Sequence, residues 1–298
     1  MSAHVAVLGL GAMGLPIATN LARHHEVRGF DLSRARLDEA AGAGVIPSTS
    51  AAEAVDGVEF VVVAVRDGAQ LTSVLFDGAI TGLAPGAVVV VTSTVGAEAV
   101  LAVRDRLATT GHHVVDAPVS GGPVRAGTGD LLIMAGADEP VLERSRSLLE
   151  DMASNLVIAG GVGDGQNMKV VNQLLCGIHT AAAAEALALA QALGLDLDQC
   201  VQVFGQGAAA SFMLADRGPR MAQQLRNEEP PLRSRLDVIA KDMKLVADLT
   251  RGLGVPTPLA GAGDHAYRLA MLLGLQSQDD SIMAPLFAGQ LTQKGKTC

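Results

Sequence analysis

The chain has 298 residues, 49% of them apolar, which is enough to bury a large core and to form two domains. Its formal net charge of −9 argues against a nucleic-acid partner, because a phosphate backbone needs clustered Lys and Arg. The three cysteines, Cys176, Cys200 and Cys298, are odd in number and stand at no metal-ligand spacing, so neither a disulfide framework nor a metal site is expected.

Short β-branched runs at 5–8, 27–30, 60–65, 88–91 and 114–115 predict buried strands, with helical spacing at 15–21, 34–43 and 97–109 between several of them. Strand and helix alternating at this rhythm predict a parallel sheet covered on both faces. A strand over 131–134, a helix over 140–151 and a strand over 156–158 complete this half. From Gly165 onward the strand signal nearly vanishes. Residues 166–193 read as one long helix, ~42 Å at 1.5 Å per residue. Helical patterns follow over 197–204, 212–225, 236–253 and 258–273, with Gly or Pro between them. A boundary is expected near Gly163, giving domains 1–162 and 163–298, with fraying over 289–298. No run reaches ~18 uninterrupted apolar residues, and three glycines interrupt the N-terminal apolar stretch. Neither a membrane span nor a leader is expected, and free thiols fit the cytoplasm.

Gly9-Leu10-Gly11-Ala12-Met13-Gly14 stands where the first strand hands over to the first helix. In the G-x-G-x-x-G pattern the first glycine makes a tight turn and the second lets backbone approach a pyrophosphate. The third lets the helix press on the strand, and the anion rests on the helix N-terminus. Asp31 ends the second strand about 20 residues later, where a carboxylate accepts ribose hydroxyls and repels a 2′-phosphate. NAD is therefore expected over NADP, with Arg34 and Arg36 close enough to soften the preference. The first half is expected to be a Rossmann-type α/β domain, followed by an all-α domain.

Three further stretches stand out. Asp116-Ala117-Pro118-Val119-Ser120-Gly121-Gly122 supplies a hydroxyl and two unencumbered amides at a strand end, and reads as a loop able to hold a carboxylate. On the long helix, Lys169, Asn172, Gln173 and Cys176 follow i, i+3, i+4, i+7 spacing. A cation near a helix N-terminus opposes the dipole, so Lys169 needs another reason to be there. Lys241-Asp242-Met243-Lys244 alone reads as a charged helix face.

Taken together, these stretches resemble the β-hydroxyacid dehydrogenase family, which includes 3-hydroxyisobutyrate dehydrogenase and tartronate semialdehyde reductase. Counterparts of four family motifs stand in order from Val5 to about Ala247: the glycine turn, D-A-P-V-S-G-G, a G-x-G-x-x-x-K-x-x-N-N motif on a long interdomain helix, and K-D-x-x-L-A, which reads Lys241-Asp242-Met243-Lys244-Leu245-Val246-Ala247 here. The resemblance implies that Lys169 is the catalytic lysine, a general acid–base for hydride transfer between a hydroxy acid and NAD. It implies that Ser120, Gly121 and Gly122 hold the substrate carboxylate, and that Thr94 lies between cofactor and substrate. Asn172, Gln173 and Asp242 fall on the substrate side. Val65 and Lys241 join the glycine turn and Asp31 in holding cofactor. Dimers or tetramers are implied as well.

Two departures narrow the resemblance. Gln173 replaces the family's second Asn, and Ser234 stands where many members carry an aromatic. With Gln278-Asp279-Asp280-Ser281 and the sequence around Cys176, these look most like the L-threonate dehydrogenase branch. Both suit a polyhydroxylated acid, since an amide matches a hydroxyl better than a methyl group. His179 is expected in a core or interface. The alternatives are 3-hydroxyisobutyrate dehydrogenase or tartronate semialdehyde reductase activity and, in another class, a non-catalytic NAD-binding scaffold. Retention of Lys169 speaks against the scaffold and against imine reductases.

Overall fold

In the computed structural model, which describes residues 3–291, the chain divides into two units, one ending at Lys169 and one starting at Val170. The division falls inside a single helix. Residues 292–298, including Cys298 and most of the expected frayed tail, lie outside the described residues.

The first unit is built on one sheet. Its strands are β1 (His4–Leu8), β2 (Glu26–Phe30), β3 (Ile46–Pro47), β4 (Phe60–Val63), β5 (Val88–Val91), β6 (His113–Asp116), β7 (Val119–Ser120), β8 (Leu131–Gly136) and β9 (Ala153–Gly160). They run in the order β3-β2-β1-β4-β5-β6-β8-β7, with β9 on β8. Alternation assigns the strand residues to two apolar layers. Val5, Val7, Val62 and Val90 face one layer, with Leu149 and Met152 of α7 (Glu139–Met152). Ala6, Leu8, Val61, Val63 and Val89 face the other, with Val55 of α3 (Ala51–Val55) and Val103 of α5 (Ala97–Ala108). A strand buried on both faces gains nothing from polar alternation, which is why β4 and β5 read as continuous valine runs.

The sheet departs from the expected all-parallel form at one end. Pairs β1–β2, β1–β4, β4–β5 and β5–β6 are parallel, but β8 runs antiparallel to both β6 and β7. The stretch 121–130 between β7 and β8 is too short for a parallel crossover, which needs about a dozen residues or more. Strand order reverses at β1, which has β2 on one side and β4 on the other. Short elements escaped the periodicity: α3, α4 (Gly68–Ser73), α6 (Gly122–Ala126) and the two-residue strands β3 and β7. Ser50 and Asp67 cap α3 and α4 through the N–H groups of Glu53 and Gln70, a signal carried by single residues.

The second unit is helical. It takes most of α8 (Asp164–Ala192), then α9 (Leu197–Gln206), α10 (Phe212–Leu225), α11 (Leu236–Leu253), α12 (Pro258–Leu272) and α13 (Met283–Phe287). Its core joins Ala184 and Leu187 of α8 to Met221, Met243 and Tyr267. The Tyr267 hydroxyl donates to the Gly177 carbonyl at 2.8 Å, which satisfies the one polar atom of a fully buried ring. Among the described residues α8 alone is long and apolar enough to cross a membrane. It is a core helix: 56% of its most apolar window is buried, and its buried face carries Gln166, Lys169, Gln173 and Thr180.

Candidate active site

Segments leaving the carboxyl ends of β1, β2, β4, β5 and β6 gather on the edge where open α/β sheets bind ligands. Gly9 adopts φ +90°, and a Cβ there would stand 2.5 Å from the Ala64 carbonyl oxygen. A Cβ on Gly14 would stand 1.8 Å from the Gly9 oxygen, so α1 (Gly14–Leu21) presses on the turn only because both side chains are absent. Gly11 differs, since a Cβ there meets no protein atom within 4 Å. Packing within the chain gives no reason for that glycine, whereas close approach of a ligand does. Leu10 is buried, Met13 half-buried and Ala12 exposed. No side chain caps α1 and its first turn holds no acid, so nothing of the chain's own competes for the dipole at that end.

Asp31, one residue beyond β2, accepts the Leu10 N–H on Oδ2 at 2.7 Å and the Ser33 N–H on Oδ1 at 2.8 Å. A carboxylate offers about four acceptor sites, so it can still take ribose hydroxyls while pinning the turn. Arg34 pairs with Asp38 at 3.0 Å and Arg36 with Glu39 at 2.8 Å on exposed α2 (Arg34–Gly42). Each guanidinium has an acidic neighbour of its own. The glycine turn, the uncapped helix and Asp31 together fit NAD.

At the next strand ends, the Val65 N–H donates to Ser93 Oγ at 2.8 Å, which ties the end of β4 to that of β5. Thr94 follows, half-buried. Gln166 binds on both sides of it: Nε2 donates to the Ser93 carbonyl at 3.0 Å, and Oε1 accepts from the Val95 and Gly96 N–H groups at 2.9 and 3.0 Å. Gln166 Nε2 also donates to Asp116 Oδ1 at 2.8 Å, while Asp116 Oδ2 accepts the Gly163 and Gln166 N–H groups at 3.1 and 2.9 Å. Both side chains are fully buried. Burial pushes the Asp116 carboxyl up to about 6, against the opposing pull of the Gln166 and Gly163 donors.

The stretch expected to be an open loop is partly ordered. Ser120 lies in β7 opposite Leu132 of β8, and Gly121 and Gly122, at φ +139° and +76°, turn the chain into α6. Lys169 is 5% exposed and sits one helical turn after Gln166 on the same buried face. The sequence motifs assign no role to Gln166 and include Asp116 only as the first residue of Asp116–Gly122. The available signal was a glutamine three residues before Lys169, in register with the apolar face of a long helix.

Along α8, the expected shared face of Lys169, Asn172, Gln173 and Cys176 divides. Burial follows 166, 169, 170, 173, 177 and 180, whereas Asn172 and Cys176 are half-buried and joined by an Nδ2–Sγ contact of 3.3 Å. Gln173 Nε2 donates to Asp242 Oδ2 at 2.6 Å, and Lys241 Nζ lies 2.9 Å from Asp242 Oδ1. The extra methylene carries the amide to an acid on α11, so one of its two N–H donors is spent on Asp242. Ser234 is held through its backbone. Its N–H donates to Asp279 Oδ2 at 3.1 Å and its carbonyl accepts from the Asp280 N–H at 2.8 Å. Arg220 and Arg217 pair with Asp279 and Asp280 at 2.9 and 3.2 Å. The Asp279-Asp280-Ser281 stretch is thus a buried ionic anchor. His179 is exposed, not a core residue.

Comparison with known proteins places the chain. The family profile described as the NAD binding domain of 6-phosphogluconate dehydrogenase matches residues 4–161, and that described as NAD-binding of NADP-dependent 3-hydroxyisobutyrate dehydrogenase matches 163–287. An L-threonate dehydrogenase of Cupriavidus necator is 35% identical over 293 residues, covering 97% of either chain. The chain is a 3-hydroxyisobutyrate dehydrogenase-like hydroxyacid dehydrogenase. As an NAD-dependent oxidoreductase of this family it shares its fold with a solved 3-hydroxyisobutyrate dehydrogenase of Salmonella typhimurium. That structure has 34% identity and a TM-score of 0.88, over 96% of this chain and 100% of the other. An NAD-dependent L-serine dehydrogenase of Pseudomonas aeruginosa is 31% identical over 292 residues, 95% of this chain and 97% of that protein.

Proposed function

We propose that this dehydrogenase oxidises L-threonate or a similar polyhydroxy acid, and uses NAD in preference to NADP. Full-length likeness to an L-threonate dehydrogenase carries the substrate reading, and the Asp31–Leu10 contact supports the cofactor preference. Gly9 to Gly14, Asp31, Val65, Thr94 and Lys241 are the residues assigned to cofactor. Bound NAD supplies the hydride acceptor. Lys169, as an amine, takes the substrate hydroxyl proton during oxidation and, as an ammonium, returns one in the reverse direction. Ser120 and the amides of Gly121 and Gly122 receive the carboxylate, and Thr94 orients the hydroxyl. Asn172 and the Gln173–Asp242 pair set what the substrate carries beyond the reacting carbon.

The reading makes residues 1–162 the NAD-binding domain, which also lends Thr94 and 120–122 to the substrate, and 163–298 the substrate and assembly domain, which lends Lys241 to the cofactor. Exposed Leu189 and Leu193, 61% and 66% accessible, support assembly into a dimer or tetramer, and the cytoplasm is the compartment we propose for it. The 31% L-serine dehydrogenase relative favours L-serine as a second reading. NADH production measured on L-threonate, D-glycerate, 3-hydroxyisobutyrate and L-serine decides between them, and a preference for either of the last two overturns the substrate reading.

A further inference from the structure

We propose that Gln166 is a positioning residue, which fixes Thr94 against the helical turn bearing Lys169. The proposal rests on the reading that Thr94 and Lys169 serve the reaction. A primary amide has two N–H donors and two acceptor sites. In Gln166 all four are spent, on the Ser93 carbonyl, Asp116 Oδ1, the Val95 N–H and the Gly96 N–H, at 2.8 to 3.0 Å. The orientation has no alternative: a flipped amide would turn its donors on two N–H groups and its acceptor on a carboxylate. Two of the bonds go to the peptide groups either side of Thr94, so that residue cannot shift along the helix without breaking them. Asp116 closes the other side. It ends β6, ahead of the Ser120–Gly122 segment, and accepts the N–H groups of Gly163 and Gln166 at the start of α8. The Thr94 segment, the 116–122 segment and the Lys169 turn therefore converge on one buried amide–carboxylate pair, all within the first unit.

The test is a double-mutant cycle on kcat, run with the hydroxy acid that the substrate panel ranks first. Q166L is expected to lower kcat about 30-fold, within the range a displaced catalytic group costs, and by more than it weakens NADH affinity. In a T94A background the same substitution is expected to cost little, because the residue it positions is already gone. A full cost in that background marks Gln166 as merely structural and overturns the proposal. So does wild-type kcat in Q166L when K169A is inactive. An active K169A removes the underlying reading instead, and the proposal with it. If Q166L does not fold, Q166E keeps the acceptors toward Val95 and Gly96 but sets a carboxyl against Asp116, with Asp164 the other titratable group acting on that pair. Its kcat deficit relative to wild type is expected to shrink toward pH 5, as a shared proton restores donation. A deficit constant with pH contradicts the proposal.

Discussion

Gln173 Nε2 lies 2.6 Å from Asp242 Oδ2, a bond between two buried side chains on different helices of the second unit. An Asn at this position, as in the family motif, would have one methylene less with which to reach that acid. Removing the donor also leaves a buried carboxylate short of a partner, which costs more than the bond is worth. Gln173→Leu is expected to lower kcat/KM for L-threonate by about tenfold or more, and for 3-hydroxyisobutyrate by less, since a site built for a hydroxyl rejects the analogue lacking it. Equal losses on the two acids would show that Gln173 has no part in selectivity.

Gly11 separates packing from binding. Gly11→Ala adds a methyl that meets no protein atom, so the melting temperature of the free protein should not fall. NADH affinity should weaken by about tenfold or more, equivalent to ~1.4 kcal/mol. Titration of intrinsic NADH fluorescence alongside a thermal melt measures both. Unchanged affinity would place the pyrophosphate elsewhere.

Cofactor choice follows from Asp31. Wild type is expected to have a higher kcat/KM with NAD than with NADP. Asp31→Ser should narrow the ratio by relieving repulsion of a 2′-phosphate. Because Asp31 also holds the Leu10 N–H, the variant should lose some affinity for NAD as well. An NADP preference in the wild type would point to Arg34 or Arg36 acting in spite of Asp38 and Glu39.

Asp116 makes stability depend on pH. Burial raises its folded-state pKa to about 6, above the ordinary 3.8, so the folded chain holds the proton more tightly than the unfolded one. The stabilisation is full below about pH 3.8 and is lost as pH rises through about 6. Between pH 5 and 7.5 this group alone should cost about 1 kcal/mol, or about 2 °C in melting temperature. Asp116→Asn removes the titration, so the melting temperature of the wild type should fall more than that of the variant over this range. Parallel curves would contradict the assignment.

The long elements were legible because burial writes itself into sequence: valine runs for β4 and β5, and 3.6-residue periodicity for α10 and α11, whose ends were read to the residue. The glycine turn was legible because its backbone admits few alternatives. What escaped is non-local. The antiparallel β8 depends on how short the 121–130 connection is, and not on composition. The bonds from Gln166 to Ser93 and from Gln173 to Asp242 join residues about 70 positions apart, for which spacing along one helix has no signal. The backbone of Ser234 is held by Asp279 and Asp280 from the far end of the chain, a pairing that local pattern does not carry either.

The most direct test concerns Lys169, which carries the proton in this account. NADH production from L-threonate, followed for wild type and Lys169→Ala at saturating NAD, compares the enzyme with and without its acid–base group. The variant should turn over at least ~100-fold more slowly, the low end for loss of a general acid–base, and should still bind NADH. Near-wild-type turnover by Lys169→Ala would remove Lys169 from the chemistry.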